Sequence, residues 1–122
     1  MSAGDLGIAR QFLAALAEAA RTGDRNGLLP LLAQDVEWVT PRRDLGGIDE
    51  VREQLTWIAP HRKLDLEFEQ ELTDLGDGRV VSAVHENYRM KETGEFAFAR
   101  DRRIELTIRD ERIARYEMRV VG

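Results

Sequence analysis

Two arginines interrupt a run of residues that otherwise reads as one buried side of a strand. From Phe96 to Ile108 the even positions are Phe96, Phe98, Arg100, Arg102, Ile104, Leu106 and Ile108, and in an extended chain alternate residues share a face. A buried guanidinium without a partner costs several kcal/mol, so this pair must meet carboxylates, a bound anion or water in an open pocket. The planar fork of an arginine suits contact with an anionic group, which makes Arg100 and Arg102 candidate ligand-binding residues. Which residues stand beside them depends on the hairpin register. With a two-residue turn at Thr93 and Gly94, Asn87 faces Arg100 and His85 faces Arg102. His85 is then the sheet's candidate catalytic acid or base, titrating near neutral pH, and Asn87 a hydrogen-bond donor to ligand. A turn one residue longer sets Glu86 against Arg102 and Tyr88 against Arg100, an ion pair of structural kind. A bulge that turns an arginine to solvent is the further alternative, and the sequence leaves all three open. Against catalysis by His85 stands the lack of an evident carboxylate to orient it. Trp38, Phe68, Tyr116 and Met118 are candidate pocket walls, with plain core packing as their competing use. Trp57 is a further aromatic that could line a pocket, and His61, beside Pro60 and Arg62, reads as a loop residue.

The elements that must carry these residues follow from periodicity. Ile8, Phe12, Leu13 and Leu16 recur at helical spacing between Leu6 and Arg21, with Asp5 placed to cap and Gly23 to stop. Asp24 can cap a second, shorter helix through Leu28, Leu29 and Leu32, which Pro30 kinks or shortens. A short strand at Val36–Thr40 precedes a third helix whose face is Ile48, Val51, Leu55 and Ile58, ended by Pro60. Beyond Pro60 the period becomes two. Leu64, Leu66, Phe68 and Leu72 alternate with Asp65, Glu67, Glu69 and Glu71, and turns at 76–78, 92–95 and 110–111 separate this strand from runs at 79–91, 96–109 and 112–121. The expectation is an α+β fold: three N-terminal helices packed in a strongly curved antiparallel sheet, one domain over 1–122.

Composition narrows the partners. At 122 residues there is room for one core. The chain has no cysteine and two histidines, so a site of nitrogen and sulfur ligands is not expected, nor is any metal or cofactor. A net charge of −5 argues against a nucleic-acid partner. Without a signal-peptide pattern or an apolar run of roughly 20 residues, a cytoplasmic protein with no membrane partner is expected.

The order of helix, short helix, strand VEWVTP, helix GGIDEVREQL and a four-strand meander closing on ERIARYEMRVV resembles the nuclear transport factor 2-like superfamily, and within it the SnoaL-like proteins. The resemblance implies a cone-shaped α+β barrel with a pocket at its open end, and a homodimer formed on the sheet's outer face. It also implies which chemistries are missing. Where ketosteroid isomerases carry a tyrosine, an aspartate base and a protonated aspartate, this chain has Phe12, Thr40 and Ile104. Limonene epoxide hydrolases set an arginine between two aspartates, but Asp101 must point away from Arg100 and Arg102. The acidic residue that SnoaL-type cyclases present at the end of the last strand is matched by Val121.

Two functions remain as expectations. One is a pocket protein that binds a partly apolar, anionic organic molecule, with proton transfer, dehydration or cyclisation as the reaction if it is an enzyme. The other is a non-catalytic homodimeric module whose cone is filled by its own side chains.

Overall fold

The computed structural model describes residues 2–55 and 63–121; Trp57, Ile58, Pro60 and His61 of the sequence reading lie outside them. Helix α1 spans Ser2–Thr22, so it begins before the expected Leu6, and Asp5 sits inside its first turn, where the helix dipole favours a carboxylate. Gly23 ends it in the left-handed conformation at φ 81, its N–H donating to the Ala19 carbonyl at 2.9 Å.

The expected second helix does not form. Leu29–Leu31 make one 3-10 turn, because Pro30 has no N–H for a longer ladder, and Leu32 already opens strand β1, Leu32–Val39. Asp24 caps no helix; its Oδ1 accepts from the Asn26 N–H at 3.0 Å in a local turn. β1 thus starts earlier than the expected Val36. It turns back through Thr40, whose N–H donates to Arg43 O at 2.8 Å, into the short strand β2, Asp44–Gly46, absent from the sequence reading. Helix α2 follows over Ile48–Leu55 and buries Ile48, Val51 and Leu55. Among the described residues there are therefore two α-helices, not three.

The meander forms as its alternation dictates: β3 Leu64–Gly76, β4 Arg79–Met90, β5 Phe96–Arg109 and β6 Arg112–Val121. With β1 and β2 it makes a six-stranded sheet in the order β2-β1-β6-β5-β4-β3. The pairing of β1 with β6 is parallel, so the sheet is mixed and not antiparallel throughout. Stacking of Trp38 on Tyr116, with ring centroids 4.0 Å apart, fills that seam. α1 lies across the inner face of the sheet and touches β3, β4, β5 and β6, while α2 packs on β1 and β2. Phe12, Val36, Val80, Ile104, Leu106 and Ile113 form the centre of the buried core. At the β3–β4 turn Gly78 adopts φ +77, and a Cβ there would meet the Ile108 carbonyl oxygen at 2.4 Å; the Ile108 N–H donates to Gly78 O at 2.7 Å, tying the turn to β5.

The β4–β5 register decides the site, and it matches neither register weighed from the sequence. Glu86 faces Arg100, Val84 faces Arg102, His85 faces Asp101 and Asn87 faces Ala99. The cause lies at the hairpin end. Met90 N–H donates to Glu95 O at 2.8 Å, Arg89 pairs with Phe96, and a bulge then takes up Ala97, so that Tyr88 pairs with Phe98. That one extra residue restores even-with-even pairing and brings Glu86, not His85 or Asn87, to the arginine face.

Candidate functional site

Between α1 and the inner face of the sheet the described residues line an open-mouthed cavity of about 680 Å³, within the range of small-molecule sites. Leu13, Leu16 and Ala20 of α1 form its roof, and Trp38, Phe68 and Tyr116 form its apolar walls. Arg100, Arg102, Glu86 and Tyr88 supply the polar groups on its β4–β5 side. Five sequence-predicted residues, Arg100, Arg102, Trp38, Phe68 and Tyr116, are therefore brought together. Met118 is not among them: it packs against the core from its edge and lines a second, smaller groove with Val39, Thr40 and Pro41.

Glu86 is the centre of the polar part, 2% exposed. Its Oε1 accepts from Arg100 Nε at 3.1 Å, and the Tyr88 hydroxyl reaches its Oε2 at 3.4 Å. That hydroxyl in turn accepts from Arg100 Nη2 at 3.0 Å, and the Arg100 guanidinium lies 5.7 Å from the Tyr88 ring centroid. Tyr88 is itself stacked on Phe98 at 4.5 Å.

Arg102 is held differently. Its Nε is 2.9 Å from Glu86 Oε1, close enough for charge attraction, yet the N–H is not aimed at that oxygen and the buried Nε has no hydrogen-bond acceptor among the described residues. We take the proximity as an ion contact and not as a hydrogen bond, since direction as well as distance defines the latter. Its side chain is 19% exposed against 39% for Arg100. The inner cluster thus carries two positive charges and one negative.

Burial pushes the Tyr116 hydroxyl up to about 12, so it is a hydrogen-bond donor at neutral pH and not a base. Tyr88 is raised as well, by burial first and by the charge of Glu86 next.

His85 and Asn87 lie on the opposite, outer face, away from the arginines and the cavity, because odd positions of β4 point outward in the observed register. His85 does have a carboxylate partner, one that no local pattern marks: Nδ1 is 2.6 Å from Asp101 Oδ1. The hydrogen bond to Asp101 holds the imidazole above its ordinary 6.5, with smaller support from Asn87 and Glu69. As expected for adjacent strand residues, Asp101 points away from Arg100 and Arg102. Phe12 and Ile104 are fully buried apolar residues, and Val121 is exposed. Glu86 was legible as an anomaly, since β4 reads Val80, Ser82, Val84, Glu86, Tyr88 on one face, an apolar side broken by a carboxylate as β5 is broken by its arginines.

The model of the SnoaL-like domain matches residues 9–116. The chain belongs to the SnoaL-like domain family. Solved structures of NTF2-like proteins share the fold of this SnoaL-like chain. An NTF2-like protein from Anabaena variabilis ATCC 29413 superposes with a TM-score of 0.77 at 16% identity, over 98% of this chain and 90% of that one. TerC co-crystallised with polyporic acid gives 0.68 at 24% identity over 97% and 92%. A protein of ketosteroid isomerase-like fold from Catenulispora acidiphila DSM 44928, in complex with trimethylamine, gives 0.63 at 18% over 89% and 84%. At these identities the likeness is one of fold. No curated protein matches the chain. No helix among the described residues is long and apolar enough to cross a membrane, and no described cluster of His, Cys, Asp and Glu could hold a metal ion.

Proposed function

We propose that this SnoaL-like chain is a single-domain, cytoplasmic pocket protein that binds a partly apolar organic anion. One observation carries the reading: Arg102, four-fifths buried in the cavity lining, has its charge near Glu86 and its Nε without a hydrogen-bond acceptor among the described residues. A buried guanidinium needs full compensation of its charge, and a ligand oxygen on the cavity side of Arg102 would supply a second anionic partner beside Glu86. Trp38, Phe68 and Tyr116 then cover the apolar body of the ligand. The co-crystallisation of TerC, a neighbour in fold, with polyporic acid supports an acidic organic ligand. The chemistry these side chains offer is stabilisation of a negative oxygen, by Arg102 and by the Tyr116 hydroxyl, as an isomerase, lyase or cyclase would use it. His85 takes no part in it, and the residues at the steroid-isomerase positions, Phe12, Thr40 and Ile104, carry neither its acid nor its base. A filled, purely associative cone is disfavoured by the cavity. Homodimer formation on the outer face of the sheet is part of the proposal, to be read from sedimentation.

The test is calorimetric titration with benzoate, 2-naphthoate and anthracene-2-carboxylate, each against its neutral alcohol analogue. At least one acid should bind saturably and lose about tenfold or more in Arg102→Gln, as a charge-assisted hydrogen bond implies, while the alcohols bind both forms alike. No binding by any of the three acids, or undiminished binding in a folded Arg102→Gln protein, overturns it.

A further inference from the structure

We propose that Glu86 sets the charge of the ligand, so that the cavity selects an organic monoanion over a dianion of the same shape. The inference rests on the pocket reading above and adds a specificity-determining residue to it. Two guanidiniums reach the inner cluster, but they are not equivalent. Arg100 is committed to the protein through Nε to Glu86 and Nη2 to the Tyr88 hydroxyl. Arg102 lines the cavity with its Nε in ion contact with Glu86 at 2.9 Å and without a hydrogen-bond acceptor among the described residues. One carboxylate against two arginines leaves one positive charge for a ligand to neutralise.

A first negative group on the ligand is therefore matched. A second would lie close to a carboxylate that is 2% exposed and cannot turn away into water. Repulsion between like charges is strong where solvent screens little, and the cost falls on the ligand because Glu86 is fixed by Arg100 and Tyr88. Glu86 acts on the ligand through Arg102 and through the field, so it is a positioning and selecting residue and not a catalytic one.

The test uses naphthalene-2,3-dicarboxylate, a dianion at about pH 8, and its monomethyl ester, a monoanion of nearly the same shape. The wild-type chain should bind the ester about tenfold or more tightly than the diacid. Glu86→Gln keeps the shape and an acceptor oxygen for Arg100 and should cut that preference about tenfold or reverse it, with near-ultraviolet circular dichroism showing an intact fold. Should Glu86→Gln not fold, Arg100→Gln decides instead. Its side chain is the more exposed of the two arginines, and removing its charge leaves Arg102 fully matched by Glu86, so ester affinity should fall about tenfold although Arg100's cluster-facing N–H groups are spent on the protein. Ester and diacid binding equally in the wild type, or a preference unchanged in Glu86→Gln, overturns the role of Glu86 while the pocket reading stands. Failure of the wild-type chain to bind either compound or any acid of the earlier series overturns the pocket reading itself.

Discussion

Strands β4 and β5 carry two charged clusters on neighbouring rungs, and the sheet separates them completely. On the inner face Glu86 meets Arg100 and Arg102; one residue away, on the outer face, His85 meets Asp101. The outer contact is the shorter, 2.6 Å against 2.9 and 3.1 Å, yet length is a poor guide to energetic weight here. Asp101 and His85 are about half exposed, 61% and 47%, and water competes for both charges. The Glu86 side chain is 3% exposed, so its charge is compensated by the two guanidiniums or by nothing. Burial, and not proximity, makes the inner cluster indispensable and leaves the outer one an adjustable surface pair.

Deleting one member of each cluster sharpens that contrast. Glu86→Ala leaves two guanidiniums facing each other across the cavity floor, and we expect a loss of about 3 kcal/mol, the low end for a broken buried pair because Arg100 can swing to water. Asp101→Ala should leave the urea unfolding midpoint close to that of the wild type. Equal effects from the two substitutions would break the comparison.

The separation of the faces depends on the register, which the turn at Gly78 helps hold. Gly78→Ala sets a methyl group 2.4 Å from the Ile108 carbonyl oxygen at a positive φ, and a loss of more than about 1 kcal/mol in chemical denaturation is expected. No loss would mean that the turn shifts freely and does not fix the faces.

The smallest effect is the pH dependence of the outer pair. The His85 pKa is raised in the folded chain, so the stability it contributes is full below the ordinary value of 6.5 and is lost as pH rises through the raised value. A ¹H–¹⁵N titration of the imidazole should give a midpoint above 6.5 that falls in Asp101→Asn. The wild-type advantage over that variant should be visible at about pH 5 and gone by about pH 9. An unmoved midpoint would show that the pair does not form in solution.

How far the sequence reached differs between elements. The meander was legible almost to the residue, because period-two alternation over 64–72 and turn residues at 76–78, 92–95 and 110–111 are local signals. The second helix failed where two local rules conflicted. Leucines at 28, 29 and 32 suggested a helix, while Pro30 removed the donor it needed, so that Leu29–Leu31 make only a 3-10 turn and Leu32 pairs with Ile113 in the sheet. β2 is too short to show a period. In the site, Arg100 and Arg102 were found because a charge on an apolar face is a local anomaly, and the aromatic walls followed from alternation. His85 and Asn87 were misplaced because a single extra residue, Ala97 in the β5 bulge, inverts which side chains share a face.

By itself, then, the order of apolar and polar residues determined the strands, the helix that covers them and the presence of guanidiniums on the inner side, since each depends on neighbours within a few positions. The tertiary structure alone decided that Glu86 answers those guanidiniums, that Asp101 takes His85 to the other side, and that a cavity of about 680 Å³ lies between α1 and the sheet. Those outcomes depend on the pairing of residues more than a dozen apart, where a shift of one position costs little locally and exchanges one face of the sheet for the other.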